Sequence, residues 1–265
     1  MRTVTAAASS ALVSLVAGEP RRVEVVVALP VAVHLAVRDA GGGPPSVCLV
    51  GPGAVRLPSA LLVRDGWGAL PLGTTGTVGV GGLELPGLSV RVTRWWRTPR
   101  PTLHGRVALP GPPTLDAVTA RLVDRLGAAL AGPSRITRGN GRRVESAVGA
   151  LLGRGPGLTP FGDDVLAGAL VTLRAVGADD AAVALSEAVL AGAPTTTFVS
   201  GALLWHAARG ECVPELAALF RAMEIGRDLN AARAAVLRLG HTSGAGLLHG
   251  VAAALWATGE REECA

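Results

Sequence analysis

The stretch LSVRVTRWWRTPRPTLHGRVALPGPPTLDAVTARLVDRLGAALAG, residues 88–132, changes its period partway along. Its first nine residues are rich in β-branched side chains and partly alternate, which suits a strand. The seven residues ALPGPPT, 108–114, hold three prolines and read as a linker. Beyond them Leu115, Val118, Leu122, Leu126 and Leu130 fall on one helical stripe, with Arg121, Asp124 and Arg125 off it. The expected class is therefore α+β. Residues 1–110 should form a mainly β domain with a short N-terminal helix, and residues 111–265 a helical domain.

Upstream, RRVEVVVAL (21–29), VAVHLAV (31–37) and SVCLV (46–50) read as further strands, separated by Gly/Pro clusters such as GGGPP and VGVGG. They predict a small barrel or sandwich. The opening MRTVTAAASSALVSLVAGEP is read as an ordinary first helix rather than a secretion leader, because Thr3, Thr5, Ser9, Ser10 and Ser14 dilute its apolar run. Downstream, helices fit residues 143–152, 163–176, 180–191, 197–209, 214–223, 228–239 and 244–257. Most are Ala- and Leu-rich nearly all round, as buried helices are, so the chemistry is expected at helix ends.

With 265 residues, 49% of them hydrophobic and 17% charged, the chain can bury a core and is not of the disordered class. No apolar run reaches the roughly 18–20 residues of a membrane-spanning helix. Three scattered cysteines, Cys48, Cys212 and Cys264, make neither a disulfide framework nor a CxxC pair, and suit a reducing cytoplasm. All 25 basic residues are arginine, and the excess lies upstream: residues 1–111 carry +6 and residues 112–265 carry −1. The run RVTRWWRTPRP, 91–101, resembles a nucleic-acid strip, but adjacent Trp95 and Trp96 on a strand point to opposite faces. A docking patch for a protein partner, with Arg94, Arg97 and Arg100, fits it better.

The most specific segment is GRGPGLTPFGDDVLAG, 153–168. Gly153, Gly155, Gly157 and Gly162 crowd a loop that leads through Thr159 and Pro160 into paired carboxylates, Asp163 and Asp164, at a helix start. A capping role for either aspartate is the plain alternative. A lysine-bearing phosphate loop is excluded, since no Lys-Ser/Thr follows. A second helix start, LGHTSGAGLLHG (239–250), offers His241, Thr242, Ser243 and Gly244, whose hydroxyls and N–H groups suit an anion. A third, PTTTFVS (194–200), offers Thr195, Thr196, Thr197 and Ser200. Arg135, Arg138, Arg142, Arg143 and Arg154 could supply bidentate cations.

At GRGPGLTPFGDD and LGHTSGAGLL the chain resembles the AllH-like family, whose prototype is a subunit of oxamate carbamoyltransferase in allantoin and purine degradation. The matching positions are Gly155 to Pro160 (with Gly157, Leu158 and Thr159), Gly162, Asp163, Asp164, Leu166 and Gly168. Thr197 and Ser200 match next, and then Gly240 to Gly244. Phe161 stands where the family pattern has Ser, and Gly246 where Asp is common. The resemblance implies carbamoyl transfer between carbamoyl phosphate and an oxamate-type acid, in company with other carbamoyltransferase subunits. On that reading Asp163, Asp164 and His241 are catalytic candidates. Gly155, Gly157, Leu158, Thr159, Gly162, Thr197, Ser200, Thr242, Ser243, Gly244 and Arg138 would bind a small anionic substrate. No cofactor is required, and neither nucleic acid nor membrane is an expected partner. Two rivals stand beside it: a hydrolase with Mg²⁺ held by Asp163 and Asp164 through water, and a non-catalytic scaffold subunit.

Overall fold

The computed structural model describes residues 1–105, 111–131 and 138–263, apart from the side chains of 138–140 and 260–263. It divides into two compact units, Met1–Pro99 and Arg100–Ala265. The change of texture expected near residue 110 falls partly on residues 106–110, outside the described residues.

The first unit is a closed eight-stranded barrel. Its strands are β1 (Arg2–Ser9), β2 (Arg21–Leu29), β3 (Ala32–Val37), β4 (Ser46–Val50), β5 (Ala60–Val63), β6 (Thr75–Gly79), β7 (Gly82–Leu85) and β8 (Leu88–Trp96). They run in the order β1-β5-β4-β3-β2-β6-β7-β8, and β8 pairs parallel with β1 to close the ring. Alternate residues fill the interior: Val23 and Val25 from β2, Val33 and Leu35 from β3, Val47 and Leu49 from β4, all at most 2% exposed. That period-two burial is what the β-branched runs dictate.

Two expectations are corrected here. Residues 2–9 form a strand, not a helix; a helical turn, Ser10–Leu12, and the short helix α1 (Val13–Val16) follow. The physical reason lies in pairing, since TVTA alternates polar, exposed residues with apolar, buried ones and β1 bonds to β5 on one side and β8 on the other. VGVGG, read as a separator, is a hairpin: Val78 and Gly79 end β6, Gly82 starts β7, and Val80 (φ 47°) and Gly81 (φ 85°) make the turn. Two residues at positive φ form the hairpin turn whose twist matches the strands. On β8 the two tryptophans do diverge: Trp95 is 44% exposed, while Trp96 packs on a small cluster of Cys48, Val50 and Ala60.

The second unit is helical. Its helices are α2 (Ala117–Leu130), α3 (Arg138–Leu151), α4 (Phe161–Ala175), α5 (Asp179–Gly192), α6 (Phe198–Ala207), α7 (Pro214–Ile225), α8 (Leu229–Leu237) and α9 (Ser243–Glu263). The stripe expected on α2 turns by about a residue: Val118 is 57% exposed, while Val123, Leu126, Gly127 and Leu130 are buried. Asp116 caps α2, accepting from the N–H groups of Val118 and Thr119 at 3.0 Å each.

Helix α4 is buried nearly all round and meets α9 along glycines. A Cβ on Gly168 would lie 2.2 Å from the Leu247 carbonyl oxygen, and one on Gly250 would lie 2.0 Å from that of Val165. Neither backbone leaves room for a methyl group. That contact sets α9 against the start of α4, where the paired aspartates lie. No helix among the described residues is long and apolar enough to cross a membrane.

Candidate functional site

The loop 153–160 is shaped by its glycines before any ligand is considered. Gly155 takes φ 114°, and a Cβ there would sit 2.9 Å from the Phe161 nitrogen. Gly162 approaches the Leu151 carbonyl so closely that a Cβ would be 1.9 Å from its oxygen. Glycine at both positions therefore has a backbone reason.

Helix α4 starts after Pro160, with no side-chain cap. Asp163 and Asp164 lie in its first turn, so neither is the N-cap. Their charge is nonetheless placed where the helix dipole favours it. Asp163 is 1% exposed, and both of its oxygens are engaged. Oδ1 accepts from the Gly153 N–H at 2.7 Å, and Oδ2 accepts from the Thr196 hydroxyl. One carboxylate thus ties together the glycine loop, the start of α4 and the segment before α6.

Two further bonds complete the assembly. The Thr159 and Ser243 hydroxyls bond at 2.9 Å, joining the loop to the first residue of α9. The Thr197 hydroxyl donates to the Leu158 carbonyl, while Thr197 Oγ1 caps α6 by accepting from the Ser200 N–H at 3.1 Å. The N-termini of α4, α6 and α9 accordingly converge on one loop.

Asp164 is the exception in this network. It is 7% exposed, and its Oδ2 has no hydrogen-bond partner. Burial pushes its carboxyl up to about 7, the Ser243 hydroxyl pulls it down, and the Asp163 charge adds to the rise. A carboxyl that titrates near neutrality can accept or deliver a proton, which a fully bonded one cannot.

The other residues named from sequence fall in different places. His241 is exposed and makes no hydrogen bond among the described residues. Gly244 does not offer a free N–H: it donates to the Leu239 carbonyl at 3.0 Å, so the expected anion nest at Thr242 to Gly244 is partly closed by the chain itself. Gly157 lies at φ 98° in open space, Leu158 is 38% exposed and Ser200 is buried. Arg154 is exposed on the loop. Arg138 begins α3, but its side chain, like all of Arg135, lies outside the described residues. Gly246, where the family pattern carries Asp, presses on the site: a Cβ there would be 2.6 Å from that of Asp164.

A metal fits this arrangement poorly, since both Asp163 oxygens already accept hydrogen bonds. Among the described residues no three His, Cys, Asp or Glu side chains gather as a metal site requires.

Sequence reasoning missed two features. Nothing in PTTT marks Thr196 as the partner of Asp163. The second is a buried pair, His206 and Glu211, joined from the surface by exposed Arg100. His206 Nδ1 lies 2.6 Å from Glu211 Oε2, and Arg100 pairs with Glu211 Oε1. Burial pushes the Glu211 carboxyl up, but the His206 and Arg100 bonds outweigh it and hold it below its ordinary value. Arg100, exposed on its outer side, pairs with this buried acid.

Neither a curated protein nor a solved structure matches the chain. Residues 151–255, which hold every group of the network around Asp163 and Asp164, match the family model described as oxamate carbamoyltransferase subunit AllH, in agreement with the resemblance carried by the motifs.

Proposed function

We propose that this chain serves as a subunit of an oxamate carbamoyltransferase-like assembly and that its helical unit holds a small anionic substrate, carbamoyl phosphate or an oxamate-type carboxylate. The observation that carries the reading is the convergence of three helix N-termini on the glycine loop, with the buried, unpartnered oxygen of Asp164 among them. Helix N-termini present N–H donors and positive potential to an anion. Exposed Arg154 adds a cation on the same loop.

In this reading the two aspartates divide the work. Asp163 positions the three segments and touches no substrate. The acceptor's nitrogen attacks the carbamoyl carbon of carbamoyl phosphate, the bond from that carbon to the phosphate oxygen breaks, and inorganic phosphate leaves. Asp164 takes the proton the nitrogen loses, a role its carboxyl near 7 suits. The reading calls for no cofactor. Partner subunits would meet the barrel at the strand bearing exposed Trp95, with Arg94 and Arg97 alongside.

The test is Asp164→Asn in the complete assembly. Carbamoyl transfer should fall by about 100-fold, the usual minimum for loss of a general base. Full activity in that variant would overturn the reading.

A further inference from the structure

Helix α9 begins against the carboxyl of Asp164, and a glycine makes that approach possible. At Gly246 a Cβ would lie 2.6 Å from that of Asp164 and 2.9 Å from the Phe161 carbonyl oxygen, so no larger residue lets α9 lie this close to the first turn of α4. Ser243, the first residue of α9, stands three positions before Gly246 and therefore on the same face of the helix. Its hydroxyl is thereby brought to the Asp164 carboxyl, to which it hydrogen-bonds. On its other side the same hydroxyl meets that of Thr159 at 2.9 Å, and either oxygen can be the donor there.

Three groups thus stand in a row that leads outward: buried Asp164, half-buried Ser243 and half-buried Thr159. The row ends on the glycine loop, where the neighbours of Thr159 on one side, Gly157 and Leu158, are exposed. Asp164 Oδ2, by contrast, is sealed from solvent. A hydroxyl carries one proton to donate and lone pairs to accept another. Two hydroxyls in series can therefore pass a proton along without either of them keeping a charge.

We propose, on the reading of Asp164 as the base, that Thr159 and Ser243 relay the proton between a substrate on the glycine loop and Asp164. The attacking nitrogen gives its proton to Thr159 Oγ1, Thr159 gives its own to Ser243 Oγ, and Ser243 gives its own to the Asp164 carboxylate. One N–H bond is broken and one O–H bond is formed at Asp164. Each hydroxyl ends neutral, its proton replaced. When phosphate has left, the same row runs outward and hands the proton to water at the loop, restoring the carboxylate. Thr159 touches the substrate, and Ser243 is a positioning residue that acts through its two neighbours.

Substitutions at both hydroxyls, assayed for carbamoyl transfer in the complete assembly beside Asp164→Asn, test the relay. Thr159→Val and Ser243→Ala should each lower kcat by about 100-fold, as loss of the base does. KM should stay within about twofold of its unaltered value, because the loss falls on the transition state. Thr159→Ser and Ser243→Thr, which keep the hydroxyl, should restore most of the rate. Thr159→Asn separates a relay from a mere tie between loop and helix. Its amide can still bond to Ser243 but cannot pass a proton on, so it should be as slow as Thr159→Val. A rate for Thr159→Asn close to that of Thr159→Ser would overturn the relay, as would a change confined to KM. Near-full activity in Ser243→Ala or Thr159→Val beside an impaired Asp164→Asn sinks the relay and leaves Asp164 as the base. Full activity in Asp164→Asn removes the base and the relay together.

Discussion

In the barrel the buried polar side chains are Ser9, Ser46, Ser59, Ser89, Thr98 and His34, whose imidazole burial pushes down to about 4 and so keeps neutral. Among its described residues the helical unit buries three carboxylates, Asp163, Asp164 and Glu211. A buried carboxylate costs several kcal/mol unless its oxygens are bonded. Glu211 is paired twice and Asp163 is bonded twice, so for these two most of that cost is offset by local contacts. Asp164 retains a buried, unpartnered oxygen and a raised pKa. The contrast teaches that the barrel buries no carboxylate, while the helical unit tolerates an unpartnered one at a place where three helices begin.

The largest effect expected of a single change lies where α4 and α9 touch. Gly250→Ala would drive a methyl group into the Val165 backbone. It should cost about 4 kcal/mol or more, beyond ordinary overpacking because neither partner is a flexible side chain. Urea denaturation measures it. The barrel counterpart, Gly87→Ala at φ 77° in open space, should cost only about 1 kcal/mol.

Asp164 gives the next effect, and its sign separates the two units. Its carboxyl titrates near 7 in the folded chain against an ordinary 3.8, so between those values the native state holds the extra proton. Stability should therefore fall as pH rises from 4 to 7 and level off above, by at most about 4 kcal/mol. In Asp164→Asn that fall should vanish, leaving the variant more stable than the unaltered chain at pH 8. Melting temperatures across the pH range check this.

Glu211 should slope the other way. Its folded pKa is lowered, so its contribution is present above the ordinary glutamate value and is lost as pH falls through the folded one. Glu211→Gln should destabilise by about 3 kcal/mol at pH 7, because Arg100 and His206 lose their acid. The smallest effect is expected in the barrel, where Ser89→Ala removes the hydroxyl that donates to Glu84 at 2.8 Å and should cost about 1 kcal/mol. A larger loss there than at Glu211 would erase the contrast between the units.

The strands with branched, alternating residues were legible, as were the helices downstream of residue 111, since periodicity reports burial directly. Strand β1 was not, because Ala and Ser carry little β signal and its place depends on β5 and β8, remote in the chain. The hairpin at Val80 hid behind glycines for the same reason, its pairing partner being a stretch with weak propensity. At the site, the aspartates and the three helix starts were legible from motif and spacing. The division between Asp163 and Asp164 was not, because it turns on Thr196 and Gly153, which only packing brings to one carboxylate. His206 and Glu211 left no signal at all, lying on ordinary helical and loop sequence.

The parallel pairing of β1 with β8 also bears on the order of events in folding. Arg2 sits opposite Leu88 and Ser9 opposite Trp96, so the ring closes only between its most distant strands. Until then the sheet has two open edges, one on β1 and one on β8, each a row of unpaired N–H and C=O groups ready to template a stray strand. Closure at such sequence separation is slow, since chain entropy is lost before the contacts reward it. The barrel is accordingly most vulnerable to misassembly just before β8 docks, and a change that slows β8 would raise aggregation without touching a single contact of the helical unit.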